Sequence, residues 1–210
     1  MRSAVMSMRY ARGRARQFWH VFDRSLVPML IVDNERRYLA ANAAARLMFR
    51  MTLAELRSRR IDDLTPPHML ARLHERWARL MRYGSVSGPY DVGLPDGTQL
   101  EVIYCASANA LPGQHLIVFV PATWPGDELE VLDEHRPPHS RPTSLSPREQ
   151  EVLSLIAAGF RLQQIADELI ISVNTVRTHT RNALRKLGAH NRAHAIALAM
   201  QRGLIDLPSS

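Results

Sequence analysis

The fold of the C-terminal part of this chain is decided by residues 145–199, which read LSPREQEVLSLIAAGFRLQQIADELIISVNTVRTHTRNALRKLGAHNRAHAIALA. Residues 173–187 are the most informative part, because apolar side chains recur there with the 3.6-residue period of an amphipathic helix. These apolar positions are Val173, Val176, Ala183, Leu184 and Leu187. Thr180 interrupts the pattern once. Ser172 is placed to cap the start of the helix, and Gly188 is placed to end it.

The opposite face of this predicted helix is basic. Its residues are Arg177, Thr178, Arg181, Arg185 and Lys186. No aspartate or glutamate occurs between Ser172 and Gly203, so nothing in this stretch opposes the positive charge. A helix with an apolar back and a front of arginine and threonine suits a polyanionic partner.

The neighbouring residues predict three more helices around this one. Ser146 and Glu149 form a Ser-x-x-Glu capping box, and Pro147 opens a helix that reaches Ala158. A short helix follows at 162–169, the turn 170–172 leads into the basic helix, and a fourth helix is predicted at 191–202. Two short helices joined by about three residues, the second of them basic, form a helix-turn-helix.

The spaced pieces LSPREQEVL, IA-x-x-L, S-V-x-TV-x-x-H and LRKLG resemble the four-helix DNA-binding domain of the LuxR/FixJ/GerE family. The resemblance implies that Arg177, Thr178 and Arg181 contact base edges. It implies contacts with the DNA phosphates or backbone for Asn174, Thr175, Thr180, Arg185 and Lys186. It makes the fourth helix the dimer helix, through Ala195, Ile196, Ala199 and Met200.

Residues 18–121 have a mixed pattern. A short amphipathic helix over Phe18, Val21, Phe22 and Leu26 is predicted to pack on the next domain or on a second copy. Strands are predicted at 28–32, 37–41, 87–94, 98–107 and 114–120. A Pro95-Asp96-Gly97 turn joins the strands 87–94 and 98–107 into a hairpin. Between the two groups of strands, Asn42 caps a helix, Thr52 and Glu55 form a second capping box, and a longer helix covers 68–83.

This order of elements resembles a PAS domain, and the resemblance implies a small-molecule or cofactor pocket between sheet and helices. Haem is one candidate, with His74 on the long helix as the iron ligand, although the strand 87–94 has no arginine to pair with a propionate. A small hydrophobic ligand, or none, is the default interpretation. Cys105 lies in an alternating strand and is interpreted as a packed small side chain.

The chain is therefore divided into a basic leader (1–17), a PAS-like sensor and dimerisation domain (18–121), a flexible linker (122–143) and a helix-turn-helix domain (144–210). The fold class is an α+β domain with a five-stranded antiparallel sheet, followed by an all-α four-helix domain. Prolines and an acidic run break the periodicity of the linker. His135 and His139 lie there without further ligands, so no zinc site is expected.

Composition restricts the function. The net charge is +7, from 27 basic and 20 acidic residues, which is a statement about partners and not about fold. The single cysteine, the lack of a long apolar run and the lack of a signal peptide favour a cytoplasmic protein without a membrane partner. No phosphate loop, GxSxG or HExxH motif occurs, so an enzyme is not expected. The only lysine, Lys186, lies in the basic helix, so a phosphoacceptor receiver site is not expected either.

The sequence thus predicts a DNA-binding transcriptional regulator that acts as a homodimer on double-stranded DNA. The resemblance to PAS–LuxR activators favours activation, in which case RNA polymerase would be a further partner. The alternative is a haem or small-molecule PAS sensor that acts through protein–protein contacts. The signal, the operator and the regulated pathway are left open.

Overall fold

The structure is a computed structural model that describes residue 13 and residues 15–121, 144–189 and 191–207. The predicted linker, with His135 and His139, lies outside the described residues, as does most of the predicted leader. Within the described ranges, none of the helices has the length and apolar character needed to span a membrane.

The N-terminal domain is a five-stranded antiparallel sheet with helices, as predicted. Helix α1 covers residues 15–24. The following elements are β1 (Met29–Asp33), β2 (Tyr38–Ala41), α2 (Ala43–Phe49), α3 (Leu53–Arg57), two 3-10 turns (Ile61–Leu64 and Pro67–Met69), α4 (Leu70–Tyr83), β3 (Ser85–Gly93), β4 (Gln99–Leu111) and β5 (Gln114–Pro121). The strand order in the sheet is β2-β1-β5-β4-β3.

Local capping chemistry fixes several of these elements where the sequence predicted them. The Asn42 side chain accepts hydrogen bonds from the backbone N–H groups of Met29 (3.0 Å) and Ala45 (2.8 Å), and its amide donates to the Val27 carbonyl (2.8 Å). Asn42 therefore joins the start of β1 to the start of α2. The Thr52–Glu55 capping box is formed, and Gly97 takes φ +81° in the turn between β3 and β4.

The sheet is apolar on both faces, because buried side chains alternate along β1, β4 and β5. One face carries Leu30, Val32, Tyr104, Ala106, Ile117 and Phe119, which pack toward α2–α4. The other face carries Met29, Ile31, Cys105, Leu116 and Val118. A sheet with two apolar faces needs a covering layer on each of them. The second face is covered by α1 and by the C-terminal domain.

The C-terminal domain consists of α5 (Pro147–Ala158), α6 (Leu162–Leu169), α7 (Val173–Leu187) and α8 (Arg192–Arg202). The predicted bounds of these four helices are confirmed, apart from Asn191, which is the N-cap of α8 and not its first residue. The Ser146–Glu149 capping box is present at the start of α5. Helix α8 packs on α5 and α7 on one side and on β4 and β5 on the other.

Several sequence-based expectations differ from the structure in the N-terminal domain. The predicted helix 68–83 begins with a 3-10 turn, so α4 starts only at Leu70, and β3 begins at Ser85, two residues before its predicted start. The strand β4 continues to Leu111, four residues beyond the predicted end. Met81, predicted on the packed face of α4, is 41% exposed. Leu26, predicted to pack with α1, lies beyond the end of that helix and is 73% exposed, whereas Phe18, Val21 and Phe22 are buried as predicted.

Candidate nucleic-acid interface

Helix α7 is held by its apolar face. Val176 and Ala183 are fully buried, and Leu184 and Leu187 are nearly so. The Ser172 hydroxyl accepts a hydrogen bond from the Thr175 N–H (3.1 Å), which satisfies one of the unpaired N–H groups at the helix start. Gly188 ends the helix at φ +70°. The buried face, the N-cap and the C-terminal glycine that the sequence predicted for α7 are therefore all present.

The turn before α7 contains an uncommon backbone conformation. Ile170 takes φ +53° and ψ +49°, in the left-handed region, and its side chain is 91% exposed. A β-branched residue rarely adopts this conformation. The turn brings α6 and α7 together, and the Arg148 guanidinium donates a hydrogen bond to the Leu169 carbonyl (2.6 Å) just before it. This contact links the end of α6 to α5.

The outward face of α7 presents the predicted base-contacting residues. Arg177, Thr178 and Arg181 are exposed. Arg177 donates to the Asn174 side chain (3.2 Å), and the Thr178 hydroxyl donates to the Asn174 carbonyl (2.9 Å). Asn174 therefore orients the first arginine of the face. Asn174 and Arg185 are exposed and Thr175 is half-buried, so all three lie within reach of a partner on this side.

Two predicted phosphate contacts are corrected by the structure. Thr180 is 4% exposed, and its hydroxyl donates to the Val176 carbonyl (2.8 Å), so it belongs to the buried face of α7. Lys186 donates to the Glu149 carboxylate on α5 (2.8 Å) and is half-buried. Its charge neutralises a buried carboxylate, which makes it a structural residue and removes it from the DNA-facing set.

The Glu149 carboxylate sits in the capping box of α5. Its side chain is only 5% exposed, and burial on its own would raise its pKa. The hydrogen bonds from Lys186 and from the Ser146 backbone N–H outweigh burial, so the pKa of Glu149 is lowered from its ordinary value. The ion pair thereby connects α5 to the C-terminal end of α7.

The residues assigned to the dimer helix are buried within their own chain. Ala195, Ile196 and Ala199 are 0% exposed, and Met200 is 3% exposed. Helix α8 lies between the other helices of its domain and the sheet of the N-terminal domain. In this conformation those four residues offer no surface to a second copy.

The N-terminal domain has a partly open cavity of about 60 Å³ between the sheet and α4. Its wall is mostly apolar, with Phe49, Trp77 and Phe119 among the lining side chains. At about 10–15 Å³ for one water-sized group, this space holds roughly four to six such groups. A small organic molecule fits a space of this size.

Four polar side chains interrupt the apolar wall: Tyr38, Thr65, Arg76 and Tyr90. The Thr65 and Tyr90 hydroxyls are 2.7 Å apart and satisfy each other, and Arg76 donates to the Pro89 carbonyl (2.7 Å). The Tyr38 residue is 4% exposed, and none of the described residues gives its hydroxyl a hydrogen bond. Burial raises the pKa of Tyr38, so the hydroxyl stays protonated and can donate a hydrogen bond to an acceptor in the cavity. These residues show no periodicity in the sequence, and sequence reasoning missed them.

His74 does not line this cavity. Its side chain is 57% exposed, and its Nε2 atom lies 3.2 Å from the Asp62 carboxylate. Asp62 also accepts two hydrogen bonds from Arg36, and these bonds lower its pKa to about 2. His74, the residue considered as a candidate haem ligand, is therefore part of a surface ion-pair cluster. In the described conformation, His74 therefore lies outside the lining of the cavity. Cys105, in contrast, is fully buried in β4, as predicted.

Two family profiles match the chain, and together they cover both domains. Residues 143–199 match the profile of bacterial regulatory proteins of the luxR family, and residues 22–117 match the PAS fold. The luxR match contains the capping box of α5, all of α7 and most of α8. The PAS match extends from α1 to β5.

Curated relatives match part of the chain. The probable transcriptional regulatory protein NarL of Mycobacterium tuberculosis is 47% identical over 62 residues, which is 30% of this chain and 29% of NarL. The transcriptional activator protein BjaR1 of Bradyrhizobium diazoefficiens is 39% identical over 95 residues, 45% of this chain and 37% of BjaR1. The matched residues thus span less than half the length of these relatives. Among solved structures, the VqmA dimer of Vibrio cholerae has a TM-score of 0.42 at 22% identity and covers 88% of this chain and 87% of VqmA.

Proposed function

We propose that the chain is a transcriptional regulator that binds double-stranded DNA at specific sequences. The premise is that residues 143–199 match the profile of bacterial regulatory proteins of the luxR family and residues 22–117 match the PAS fold. The observation that carries the proposal is the exposed face of α7. On this face, Arg177, Thr178 and Arg181 are exposed, and the helix contains no acidic residue. The opposite face of α7 is buried in the core of the domain.

The chemistry of this face matches the major groove. An α-helix fits the width of that groove, and arginine forms paired hydrogen bonds with the O6 and N7 atoms of guanine. Arg177 and Arg181 are four residues apart, so they lie on the same side of α7, one turn apart. In the proposal, both read guanine edges, and Thr178 between them contacts a base edge or a thymine methyl group.

The surrounding polar groups would position the helix on the backbone of the DNA. After the correction for Thr180 and Lys186, the proposed phosphate contacts are Asn174, Thr175 and Arg185. Such contacts carry no sequence information, but they release counterions and make binding fall as salt rises. The proposal therefore predicts that DNA binding weakens as the salt concentration rises, and that the base-reading arginines account for only part of this dependence.

We further propose that the DNA-bound form is a homodimer paired through α8, which would place two copies of α7 in successive major grooves about one helical turn apart. Activation of transcription, with RNA polymerase as a further partner, is the proposed direction of control. No enzymatic activity is assigned to the chain.

The cavity of the N-terminal domain supports a sensory role. Its apolar wall and the unpaired Tyr38 hydroxyl suit a small, mainly apolar molecule with one hydrogen-bond acceptor. Such a ligand would gain a hydrogen bond that no described residue supplies to the tyrosine. This supports regulation by a small molecule.

The proposal is tested by selecting bound fragments of genomic DNA with the purified chain, and by then measuring affinity for the recovered sequence and for a scrambled one. Arg181→Ala is expected to reduce the discrimination between the two by about 1–3 kcal/mol, the value of one paired arginine–guanine contact. Arg79→Ala is the matched control, since Arg79 is an exposed arginine on α4, in the other domain.

The control variant should keep the discrimination of the parent chain. If Arg181→Ala also keeps it in full, Arg181 does not read bases. If the selection recovers no sequence and binding does not weaken as salt rises, the chain is not a DNA-binding regulator of this kind.

A further inference from the structure

Arg76 of α4 contributes a guanidinium group to the wall of the cavity in the N-terminal domain. Its side chain donates a hydrogen bond to the Pro89 carbonyl (2.7 Å), and none of the described residues forms an ion pair with it. Arg36, in contrast, donates two hydrogen bonds to the Asp62 carboxylate (2.8 and 3.0 Å). In the described part of the chain, the positive charge of Arg76 is therefore not neutralised by a carboxylate, and it borders an apolar space.

The guanidinium group of Arg76 is held from two sides. It lies over the Tyr104 ring, with 5.5 Å between its central carbon and the ring centroid, and the Pro89 carbonyl accepts one of its N–H groups. A guanidinium group carries five N–H donors in a fixed plane. The contacts with Tyr104 and Pro89 thus keep the group in position and leave several of its donors for a further acceptor.

The other polar groups of the cavity lie close to Arg76. The Tyr90 ring meets the Tyr104 ring edge-on, with the centroids 5.7 Å apart, and the Tyr90 hydroxyl is 2.7 Å from the Thr65 hydroxyl. Burial, together with the nearby Tyr90, raises the pKa of Tyr38, whose hydroxyl has no hydrogen-bond partner within the described ranges. The polar part of the wall is therefore one connected region, and the remaining wall is mostly apolar.

The charges around this polar region favour an anion. Burial raises the pKa of Tyr90, and the charge of Asp62 adds to this effect. Arg76 and Arg72 act on Tyr90 in the opposite direction. Because Asp62 is paired with Arg36, its own charge is compensated. Two arginines thus act on the cavity wall against one paired aspartate.

We propose that the cavity binds a small monocarboxylate with an apolar body, and that Arg76 holds the carboxylate group. The inference rests on the sensory role included in the proposed function, and it narrows the ligand to an organic acid. Arg76 is half-buried, so the charged end of the ligand lies where the cavity meets solvent and does not have to be fully desolvated. The Tyr38 hydroxyl donates a second hydrogen bond to an oxygen of the ligand. The volume of about 60 Å³ limits the apolar body to a short branched chain or a single ring.

Matched pairs of an acid and its amide measure the role of the charge. The pairs are isobutyrate with isobutyramide, 4-methylpentanoate with 4-methylpentanamide, and benzoate with benzamide, and the members of each pair have nearly the same shape. Binding to the full chain is measured by isothermal titration calorimetry at neutral pH, without DNA. In at least one pair, the acid is expected to bind about tenfold more tightly than the amide, the lower end of what a hydrogen bond to a charged group contributes.

The variant Arg76→Gln removes the charge and keeps a polar side chain. It is expected to reduce the preference for the acid to about threefold or less and to leave the affinity for the amide nearly unchanged, which also shows that the cavity is intact. Arg76→Lys keeps the charge without the planar fork and should retain part of the preference. Arg79→Gln is the matched control and should retain all of it, since Arg79 is an exposed arginine of the same helix that does not line the cavity.

The variant Tyr38→Phe tests the second donor separately. An acid and its amide both have an oxygen that accepts a hydrogen bond, so loss of the hydroxyl is expected to weaken the binding of both by about two- to tenfold. The ratio of the two affinities should stay the same. Arg76 and Tyr38 are thereby distinguished, because only Arg76 is expected to change the ratio.

The inference is overturned if no pair shows a preference for the acid, if none of the six compounds binds, or if Arg76→Gln keeps the preference in full. These outcomes are separate from the test of the proposed function. A chain that binds the acid and selects no DNA contradicts the DNA-binding regulator and supports the inference. A chain that selects DNA and binds none of the acids contradicts only the inference.

Discussion

Helices α7 and α8 follow each other in the same domain, yet their surfaces are very different. Helix α7 has one buried face and one exposed face with Arg177 and Arg181, whereas α8 is buried on nearly every side. The polar face of α7 is exposed in the described conformation, whereas α8 is covered by α5 and α7 and by the strands β4 and β5. The comparison teaches that neighbouring helices of one domain can differ in their surroundings: α7 keeps an exposed polar face, and α8 joins its own domain to the sheet of the N-terminal domain.

This difference predicts that a truncation in α8 affects the whole molecule. Ile196→Ala removes a fully buried side chain from the shared core and is expected to lower the free energy of unfolding by about 2–5 kcal/mol. Because the core is continuous between the domains, circular dichroism and tryptophan fluorescence should report the same shift of the urea transition. The matched change on α7, Arg177→Ala, is expected to leave the transition unchanged within about 0.5 kcal/mol. Similar losses in the two variants would contradict the contrast between the helices.

A smaller loss is expected where α7 is tied to α5. Lys186→Met leaves the Glu149 carboxylate buried without its cation and is expected to cost about 1–3 kcal/mol at neutral pH, below the value for a fully buried pair because Lys186 is partly exposed. Urea denaturation measures it. An unchanged midpoint would show that the ion pair does not stabilise the domain, and Lys186 would again be a candidate contact with the DNA phosphates.

The same pair predicts a pH dependence. The folded-state pKa of Glu149 is lowered from 4.5, so its stabilising contribution is present above pH 4.5 and is lost as the pH falls through the lowered value. The stability difference between the parent chain and Lys186→Met should therefore shrink below about pH 4.5. A difference that stays constant down to pH 3 would show that Glu149 is not its source.

The smallest effect concerns the docked side of the C-terminal domain. Gly159 ends α5 at φ +97°, and a Cβ atom there would lie 2.7 Å from the Cβ of Leu26. Gly84 ends α4 at φ +83° with nothing within 4 Å. Gly159→Ala and Gly84→Ala both introduce left-handed strain of about 1–2 kcal/mol. Only the first adds a clash across the domain interface.

We therefore expect Gly159→Ala to cost about 1 kcal/mol more than Gly84→Ala in urea denaturation, since the overpacked contact adds to the strain. Equal losses in the two variants would mean that Leu26 yields freely and that the contact does not hold the domains together.

Much of the fold was predictable because its determinants are local. The caps at Asn42, Ser146 and Ser172 each bond to a backbone N–H three residues away, and Gly188 ends α7 as expected. Periodicity identified the buried side of α7 for the same reason. The errors at Thr180 and Lys186 have a different origin. Whether a threonine lies on the buried side, or a lysine meets a carboxylate 37 residues away, depends on how the helices pack.

The sequence by itself determined the elements, the basic face of α7 and the family resemblance of both domains, because caps, turns and periodicity act over three to four neighbouring residues. Only the tertiary structure decided that His74 lies outside the cavity, that Tyr38 lies in its wall and that α8 rests on the sheet. These outcomes depend on contacts between residues distant in the chain. An alternating apolar strand shows that both its faces are buried, but it does not show which element covers each of them.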